Sequence, residues 1–275
     1  MGSDLFRIRD HVAEFETLQR WYVSASQDQR ASGRTELNVA YGAGKGETLD
    51  LYFPEAPSPK APIHMFVHGG YWRANRKEDY AFVAAPILAQ GGIAAIIDYS
   101  LMPKARMAHL VDQVRRAAVW VRNNAERLGA DGQKFSASGH SAGAHLVSYL
   151  SARGPHEAEL PQITAQRLLL VSGIYDLGPI ATSFLQAEIG LTKTEIAQFS
   201  PVSAVHNTGV SMTVAVGSAE TLPFHAQADA LVAHLAAQGV PFEKHVLSSL
   251  NHMSIIAEMG TPDTAMSALL IKQLG

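Results

Sequence analysis

The sequence predicts one α/β domain in which helices cover both faces of a mostly parallel central sheet. Its 275 residues are enough for a single large domain with a substantial core. Hydrophobic residues make up 47% of the chain and charged residues 17%, a balance typical of a well-packed soluble protein. Short apolar segments alternate with helical patterns, and such alternation builds parallel sheets through helical crossovers. We therefore expect residues 1–275 to form a single domain.

The first elements precede that alternation. Residues 10–28 carry apolar side chains at three- and four-residue spacing, which predicts a helix that either packs on the domain or covers an active site. Residues 36–41 and 48–53 are predicted to be the two strands of a hairpin. Their glycine-rich linker, 42–47, superficially resembles a phosphate-binding loop, but Val39 stands where that motif requires its first glycine. A hairpin turn is the better interpretation.

The alternating elements follow. Six further strands are predicted, at residues 63–67, 93–97, 134–138, 167–171, 212–216 and 242–247. Helices are predicted between them, at residues 107–128, from residue 142 onward, at 223–238 and in a final region from residue 255. Residues 174–208 interrupt the pattern, with Pro179, Gly190 and Pro201 between short helical segments. We predict an insertion over the C-terminal edge of the sheet, where open α/β folds bind ligands.

Composition excludes several functions. The net charge is −3 and no block of Lys and Arg occurs, so nucleic acid and anionic membrane are not expected partners. The chain has no cysteine, which excludes disulfides and thiolate chemistry. The first ten residues are charged without an apolar run, and no apolar segment approaches the roughly 20 residues that span a bilayer, so we expect a cytoplasmic protein. A zinc site of the His-Glu-x-x-His type is disfavoured because Leu160 stands in place of the second histidine.

A candidate nucleophile lies at the centre of the chain. Residues 139–143 have the sequence Gly-His-Ser-Ala-Gly, a pattern typical of a serine on a sharp turn from strand to helix. Ser141 is the candidate nucleophile. Gly139 and Gly143 leave room for the crossing strand and helix. The N–H of Ala142, at the start of that helix, can donate to a developing oxyanion.

A base and an acid must converge on Ser141, in the chain order Ser, acid, His. Only His252 lies beyond the last strand and before the last helix, so it is the candidate base. His245, inside the last strand, is predicted to be a packing residue. Glu220, after the penultimate strand, is favoured as the acid over Asp176, which follows the strand before it. Three further histidines do not fit the chain order: His68, His140 and His145.

A second oxyanion donor is predicted after the strand at 63–67. Gly69 and Gly70 allow the chain to approach a reacting carbonyl closely, so the N–H of either could act together with that of Ala142.

With these residues in place, the chain resembles the α/β-hydrolase superfamily, and within it the kynurenine formamidase (arylformamidase) group, a relative of the hormone-sensitive-lipase-like esterases. The resemblance covers most of the chain from about residue 15. It rests on four segments, at residues 68–72 (His-Gly-Gly-Tyr-Trp), 139–146 (Gly-His-Ser-Ala-Gly-Ala-His-Leu), 98–103 (Asp-Tyr-Ser-Leu-Met-Pro) and 172–177 (Ser-Gly-Ile-Tyr-Asp-Leu). Glu220 departs from the family pattern, which usually has Asp, and this leaves the choice between Glu220 and Asp176 open.

The resemblance implies hydrolysis of an N-formyl arylamine, such as N-formylkynurenine, with release of formate. Ser141 would attack the formyl carbon, His252 would act as base and then acid, and Glu220 would orient it. Tyr71 and Trp72 would either line an aryl pocket or pack against the loop that carries them. No metal or organic cofactor is implied, and the partner is a small-molecule substrate.

Two other functions are compatible with the residues. A carboxylesterase for small aryl or short-chain acyl esters would use the same machinery with a different pocket. A binding protein on a hydrolase fold would not need a serine, an acid and a histidine in this order. The sequence leaves open the substrate, the oligomeric state, a homodimer included, and whether the insertion moves.

Overall fold

An eight-stranded sheet runs through the computed structural model, which describes residues 4–56, 60–161 and 165–275. The strands of the described residues are β1 (Arg34–Ala40), β2 (Thr48–Phe53), β3 (Ala61–Val67), β4 (Ile93–Ile97), β5 (Ala130–His140), β6 (Ala152–Arg153), β7 (Arg167–Val171), β8 (Val205–His206), β9 (Ser211–Gly217) and β10 (Phe242–Leu247). The sheet order is β1-β2-β4-β3-β5-β7-β9-β10, and β6 pairs with β8 in a small separate ladder.

The pairing agrees with the predicted fold class. In the spatial order of the sheet, every neighbouring pair from β4 through β3, β5, β7 and β9 to β10 is parallel. Strands β1 and β2 are antiparallel to each other, and β2 is antiparallel to β4. All five residues of β4 are buried, as a strand with helices on both faces requires. The mostly parallel sheet covered by helices is confirmed.

The α-helices of the described residues are α1 (Phe15–Ala31), α2 (Ala84–Ala89), α3 (Met107–Asn123), α4 (Ala125–Leu128), α5 (Ala142–Ser148), α6 (Gln186–Ile189), α7 (Lys193–Phe199), α8 (Leu222–Ala237), α9 (Ser254–Met259) and α10 (Ala265–Ile271). Short 3₁₀ helices add Ile8–Asp10, Lys77–Val83, Pro179–Thr182, Pro201–Ser203 and Lys272–Leu274. No helix in the described part of the chain is long and apolar enough to cross a membrane.

Two helix predictions need correction. The first helix begins at Phe15 rather than at residue 10. The residues before it form a 3₁₀ helix and a turn, and from these Ile8 and Val12 bury their apolar side chains without being part of the α-helix. The helix predicted over 107–128 is interrupted at Asn124, whose side-chain amide donates to the carbonyl of Trp120 at 2.9 Å. Apolar spacing continues across both points, so the sequence pattern does not mark them.

The predicted hairpin is present, since β1 and β2 pair in antiparallel register. The side chain of Glu47, within the linker, holds this turn in place. Glu47 is buried, accepts a hydrogen bond from the N–H of Gly44 at 3.0 Å and pairs with Arg116 at 2.6 Å. The Arg116 guanidinium lowers the pKa of Glu47 well below its ordinary value. A carboxylate in this turn is opposite in charge to what a phosphate-binding loop needs.

The insertion at 174–208 consists of short elements, as predicted: two 3₁₀ turns, α6, α7 and β8. Helix α7 begins with a capping box between Thr192 and Glu195, and Arg106 binds the Glu195 carboxylate from outside the insertion. His145 reaches the insertion from α5, donating from Nε2 to the carbonyl of Phe199 at 2.7 Å. These contacts fix the insertion beside the C-terminal ends of the parallel strands.

Candidate active site

Ser141 lies on the turn between β5 and α5. Its φ of 55° and ψ of −120° are strained for a residue with a side chain, and its N–H donates to the carbonyl of Val171 at 2.8 Å. A Cβ at Gly139 would lie 2.4 Å from the backbone of Gly143, and a Cβ at Gly143 would lie 2.0 Å from the carbonyl oxygen of Val67. Only glycine fits at positions 139 and 143. As predicted, these two glycines are needed because the strand and the helix pass too close for a side chain.

His252 and Glu220 are joined directly. The Nδ1–H of His252 donates to Glu220 Oε2 at 2.7 Å, and both side chains are buried. The Oε1 of Glu220 accepts from the N–H of Gly217 at 2.8 Å and from the hydroxyl of Ser172 at 2.5 Å. Three donors therefore fix the carboxylate, and the bond to Nδ1 leaves Nε2 of His252 as a proton acceptor. Ser141 and His252 line the same cavity, and the hydrogen bond between such a pair commonly tightens only when substrate binds.

Ser172 is a site residue that the sequence reasoning did not assign a role. It follows β7 directly, adopts a left-handed φ of 51° and points its hydroxyl at the Glu220 carboxylate. The available signal was its place at the C-terminal end of a buried parallel strand, where side chains reach the active-site edge.

The alternative acid, Asp176, is engaged elsewhere. Its Oδ1 accepts from the N–H of Gly178 at 2.8 Å, and its backbone N–H and carbonyl are both bonded to the side chain of Gln227. This is a local turn stabilised by its own carboxylate. The structure therefore brings Glu220, and not Asp176, to His252.

The predicted oxyanion loop lies against the nucleophile. A Cβ at Gly69 would be 3.1 Å from the Cβ of Ser141, and a Cβ at Gly70, where φ is +112°, would be 2.3 Å from the carbonyl of Ala74. The loop is held from behind by His68, whose Nδ1–H donates to the carbonyl of Gly69 at 2.7 Å. The His68 ring in turn stacks on Tyr99, with 4.5 Å between ring centroids.

Ala142 completes the predicted oxyanion donors. It is the first residue of α5 and is fully buried directly after Ser141. The first amides of a helix have no carbonyl partner within it, so this N–H is available to an anion.

Tyr71 and Trp72 differ in their surroundings. Tyr71 lines the cavity above Ser141, donates its hydroxyl to the carbonyl of Phe6 at 2.5 Å, and burial raises its pKa well above the ordinary value. Trp72 is 0% exposed and donates its indole N–H to His145 Nδ1 at 3.2 Å. Trp72 lies outside the cavity lining, so its predicted contact with substrate is corrected to a packing contact behind the loop. Both residues adopt left-handed backbone, which turns the chain sharply between them.

A cavity of about 930 Å³ opens above Ser141 and His252. Tyr71 and Phe184 form an aromatic wall, with 6.0 Å between their ring centroids. The N-terminal segment also lines the cavity, through Arg7, Ile8, Arg9, Asp10, Phe15, Glu16, Gln19, Arg20, Tyr22, Val23, Ser24 and Gln27. Helix α1 therefore both packs on the domain and covers the site. The volume is ample for an aryl compound.

His245, predicted to pack inside the last strand, lies instead at the open edge of the sheet. Its Nε2 lies 3.1 Å from a carboxylate oxygen of Glu243, and its side chain is 37% exposed. The reason is topological: β10 is the last strand of the sheet, so one side has no neighbour.

Comparison with known proteins shows to which family the chain belongs. The profile of the BD-FAE family matches residues 49–235. A kynurenine formamidase of Salmo salar is 32% identical over 275 residues, which cover 98% of this chain and 89% of that protein. The chain belongs to the kynurenine formamidase family of α/β-hydrolases. The family predicted from the four sequence segments is confirmed, and the protein is a hydrolase of the α/β-hydrolase class.

An esterase sequence and a solved structure are also similar to this chain. Esterase LipC of Mycobacterium tuberculosis is 34% identical over 143 residues, which cover 50% of this chain and 35% of that protein. A solved structure from Silicibacter sp. tm1040 superposes with a TM-score of 0.83 at 24% identity, covering 97% of both chains. The formamidase-family match therefore extends over nearly the whole chain, whereas the LipC match covers half of it.

Proposed function

We propose that this hydrolase cleaves an N-formyl arylamine of the N-formylkynurenine type, releasing formate and the free arylamine. The observation that carries the proposal is the similarity to a kynurenine formamidase over 98% of the chain, which includes the N-terminal segment that builds one side of the cavity. The joined pair of His252 and Glu220 beside Ser141 supplies the groups that the reaction needs.

In the first step the hydroxyl oxygen of Ser141 attacks the formyl carbon while Nε2 of His252 takes the hydroxyl proton. Glu220 keeps His252 in the required tautomer and stabilises the positive charge that the ring gains. The developing oxyanion accepts hydrogen bonds from the N–H of Ala142 and from that of Gly69 or Gly70. His252 then gives its proton to the arylamine nitrogen, and the C–N bond breaks.

In the second step a water molecule attacks the formyl ester of Ser141. His252 takes a proton from the water and returns it to Ser141 Oγ as the ester bond breaks, so formate leaves and the enzyme is restored. A formyl group has only a hydrogen on the acyl side of its carbon. The close approach of Gly69 to Ser141 suits so small an acyl group, and the cavity of about 930 Å³ receives the arylamine.

A carboxylesterase activity is the second candidate, and the similarity to Esterase LipC favours it. The same nucleophile, base and oxyanion donors would serve an ester, since only the leaving atom differs.

The test is turnover of N-formylkynurenine by the purified protein beside p-nitrophenyl acetate, with Ser141→Ala as the control. We expect kcat/KM for the formamide to exceed that for the ester, and the variant to lose about 10³-fold or more on both. Turnover of the ester alone would reject the formamidase proposal and leave the serine mechanism in place.

A further inference from the structure

A short segment before α1, residues 4–10, lines the cavity, and the mechanism above gives it no role. We call this segment the strap. The carbonyl of Phe6 accepts from the hydroxyl of Tyr71 at 2.5 Å, and the Oδ2 of Asp4 accepts from the N–H of Phe184 at 2.6 Å. The strap is therefore hydrogen-bonded to both residues of the aromatic wall.

Arg7 lies in the middle of the strap and lines the cavity. Its neighbours Phe6 and Ile8 are 6% and 7% exposed, whereas the side chain of Arg7 is 47% exposed. The guanidinium carbon of Arg7 lies 4.2 Å from the centroid of the Phe184 ring. Because both neighbours are buried, the backbone is held on each side of Arg7, and its guanidinium stays stacked on the aromatic wall.

The guanidinium of Arg7 is not bonded to any carboxylate in the described part of the chain. Its Nε lies 3.8 Å from the Oδ2 of Asp10, which is too far for a hydrogen bond. Within residues 4–56, 60–161 and 165–275, Nη1 and Nη2 have no hydrogen-bond partner. A guanidinium stacked on a ring keeps its N–H groups in its own plane, where they can bind a planar anion. Arg7 therefore offers a free anion-binding edge beside the aromatic wall.

Three other arginines line the cavity in different surroundings. Arg9 and Arg73 each form an ion pair with a glutamate, at 3.1 and 2.6 Å. Arg20 donates to the hydroxyl of Thr17 at 3.1 Å and, among the described residues, is not stacked on an aromatic ring. Of the four, Arg7 alone combines a guanidinium without a carboxylate hydrogen bond and a contact with the aromatic wall within the described chain.

We propose that Arg7 binds a carboxylate carried by the aryl group of the substrate, so that the strap selects acidic aryl formamides. The inference rests on the proposed function. An aryl ring that packs against Tyr71 and Phe184 presents its substituents at the edge of this wall, where the guanidinium lies. N-formylkynurenine carries a carboxylate at the end of the side chain on its ring. One guanidinium binds both oxygens of a carboxylate through two parallel N–H···O bonds.

This contact should affect binding more than chemistry. The carboxylate is remote from the scissile bond and keeps its charge throughout the reaction, so Arg7 stabilises the bound substrate and the transition state equally. Such uniform binding lowers KM and leaves kcat unchanged. Because Arg7 is half-exposed, water competes for the carboxylate and the effect is moderate.

The test compares N-formylkynurenine with N-formylkynuramine, which differs from it only by lacking the carboxylate. For Arg7→Gln we expect KM for N-formylkynurenine to rise by about 5- to 30-fold while kcat stays within about 3-fold of wild type. The ratio of kcat/KM for the two substrates, acidic over neutralised, should fall by the same factor. Arg7→Met keeps an apolar contact with the Phe184 ring without the charge, and we expect the same fall in the ratio.

Arg9→Gln is the matched control, because it removes a charge from the same strap that Glu16 already neutralises. We expect its ratio to stay within about 2-fold of wild type. An unchanged ratio in Arg7→Gln overturns the inference, as does an equal fall in Arg9→Gln. A fall in Arg20→Gln without one in Arg7→Gln overturns it too. If Arg7→Gln does not fold, Arg7→Met replaces it, and an unchanged ratio there has the same meaning.

The wild-type enzyme separates this inference from the function on which it rests. Absence of turnover of both formamides in wild type rejects the proposed function and the inference together. Turnover of both with equal kcat/KM rejects the inference alone, because Arg7 then gives no preference for the carboxylate.

Discussion

Glu220 holds His252 with a side chain one methylene longer than the aspartate usual in this family. The extra length is used: one carboxylate oxygen contacts Nδ1 of His252, while the other reaches the N–H of Gly217 and the hydroxyl of Ser172. Hydrogen bonds to an ionised carboxylate are among the stronger ones in proteins. The orientation of His252 therefore depends on the two other donors to the acid, Gly217 and Ser172, as well as on the acid itself.

Exchanging Glu220 for Gln tests that dependence. The amide cannot stabilise the positive charge on His252, so we expect kcat to fall by about 10³- to 10⁴-fold with folding retained. Asp176→Asn is the matched control, because its carboxylate bonds only a local turn, and we expect less than about 3-fold change. Steady-state kinetics on N-formylkynurenine measures both, and a larger loss in the Asp176 variant would reject Glu220 as the acid.

Ser172→Ala removes one donor from Glu220 and leaves the contact with His252 in place. We expect kcat to fall by about 3- to 20-fold, well short of the loss in Glu220→Gln, because two of the three hydrogen bonds remain. Ser183→Ala is a suitable control, since that hydroxyl donates to the carbonyl of Ile180 and accepts from the N–H of Leu185, both within the insertion. A full loss of activity in Ser172→Ala would instead place its hydroxyl in direct contact with the reacting atoms.

Among the secondary-structure elements, α1 has the clearest influence on the site. Tyr22 donates its hydroxyl to the carbonyl of Met253, the residue after His252, at 2.5 Å. The same helix lines the cavity through residues such as Phe15 and Gln19. A loosened α1 therefore changes both the shape of the cavity and the support of the loop that carries His252.

The variant Tyr22→Phe tests whether α1 affects substrate binding beyond its contribution to the stability of the fold. Loss of one buried hydrogen bond is expected to lower the free energy of unfolding by about 1 kcal/mol and to raise KM for N-formylkynurenine by about 3- to 10-fold. Tyr149→Phe is the matched control, because its hydroxyl donates to the Gln198 carbonyl outside the cavity lining. We expect Tyr149→Phe to lose a similar free energy of unfolding while its KM stays unchanged. Equal KM values in the two variants would show that α1 does not shape substrate binding.

The sequence predicts the buried strands of the sheet better than it predicts where helices begin and end. Strands β4 and β7 have the predicted bounds, because a short apolar run between turn residues leaves little choice of start and end. The first helix was predicted to begin too early and the break at Asn124 was not predicted, since apolar spacing continues past the points where the backbone stops being helical. The order of the loops predicted Ser141, Glu220 and His252 because chain order in a parallel sheet fixes which loops meet at one edge.

Side-chain direction within a loop could not be predicted. Tyr71 and Trp72 are adjacent, yet only Tyr71 contacts the cavity, because two left-handed residues in succession redirect the chain. The role of Ser172 was missed because it depends on a tertiary contact with Glu220, 48 residues further along the chain.

At the scale of the whole molecule, the buried histidines make stability depend on pH. Burial lowers the pKa of His64 to about 3 and those of His145 and His206 to about 4. In the unfolded chain each would titrate near 6.5. Between these values the unfolded state binds protons that the folded state does not, so the free energy of unfolding falls as pH falls from about 6.5 toward 4.

Thermal unfolding between pH 7.5 and 5 measures this. We expect Tm to decrease over the acidic part of that range, with each histidine contributing up to about 1.4 kcal/mol per pH unit. His206→Gln can keep the hydrogen bond to the Pro201 carbonyl but cannot titrate, so its Tm should depend less on pH. Identical pH profiles for wild type and His206→Gln would rule out the contribution of His206.

The strained backbone of Ser141 bears on how the protein could be engineered. Strain of this kind costs the folded state on the order of 1–3 kcal/mol, so the turn that exposes the nucleophile also lowers stability. A glycine at position 141 would adopt the same φ without that strain but would lack the hydroxyl. Stability and activity therefore oppose each other at this one residue.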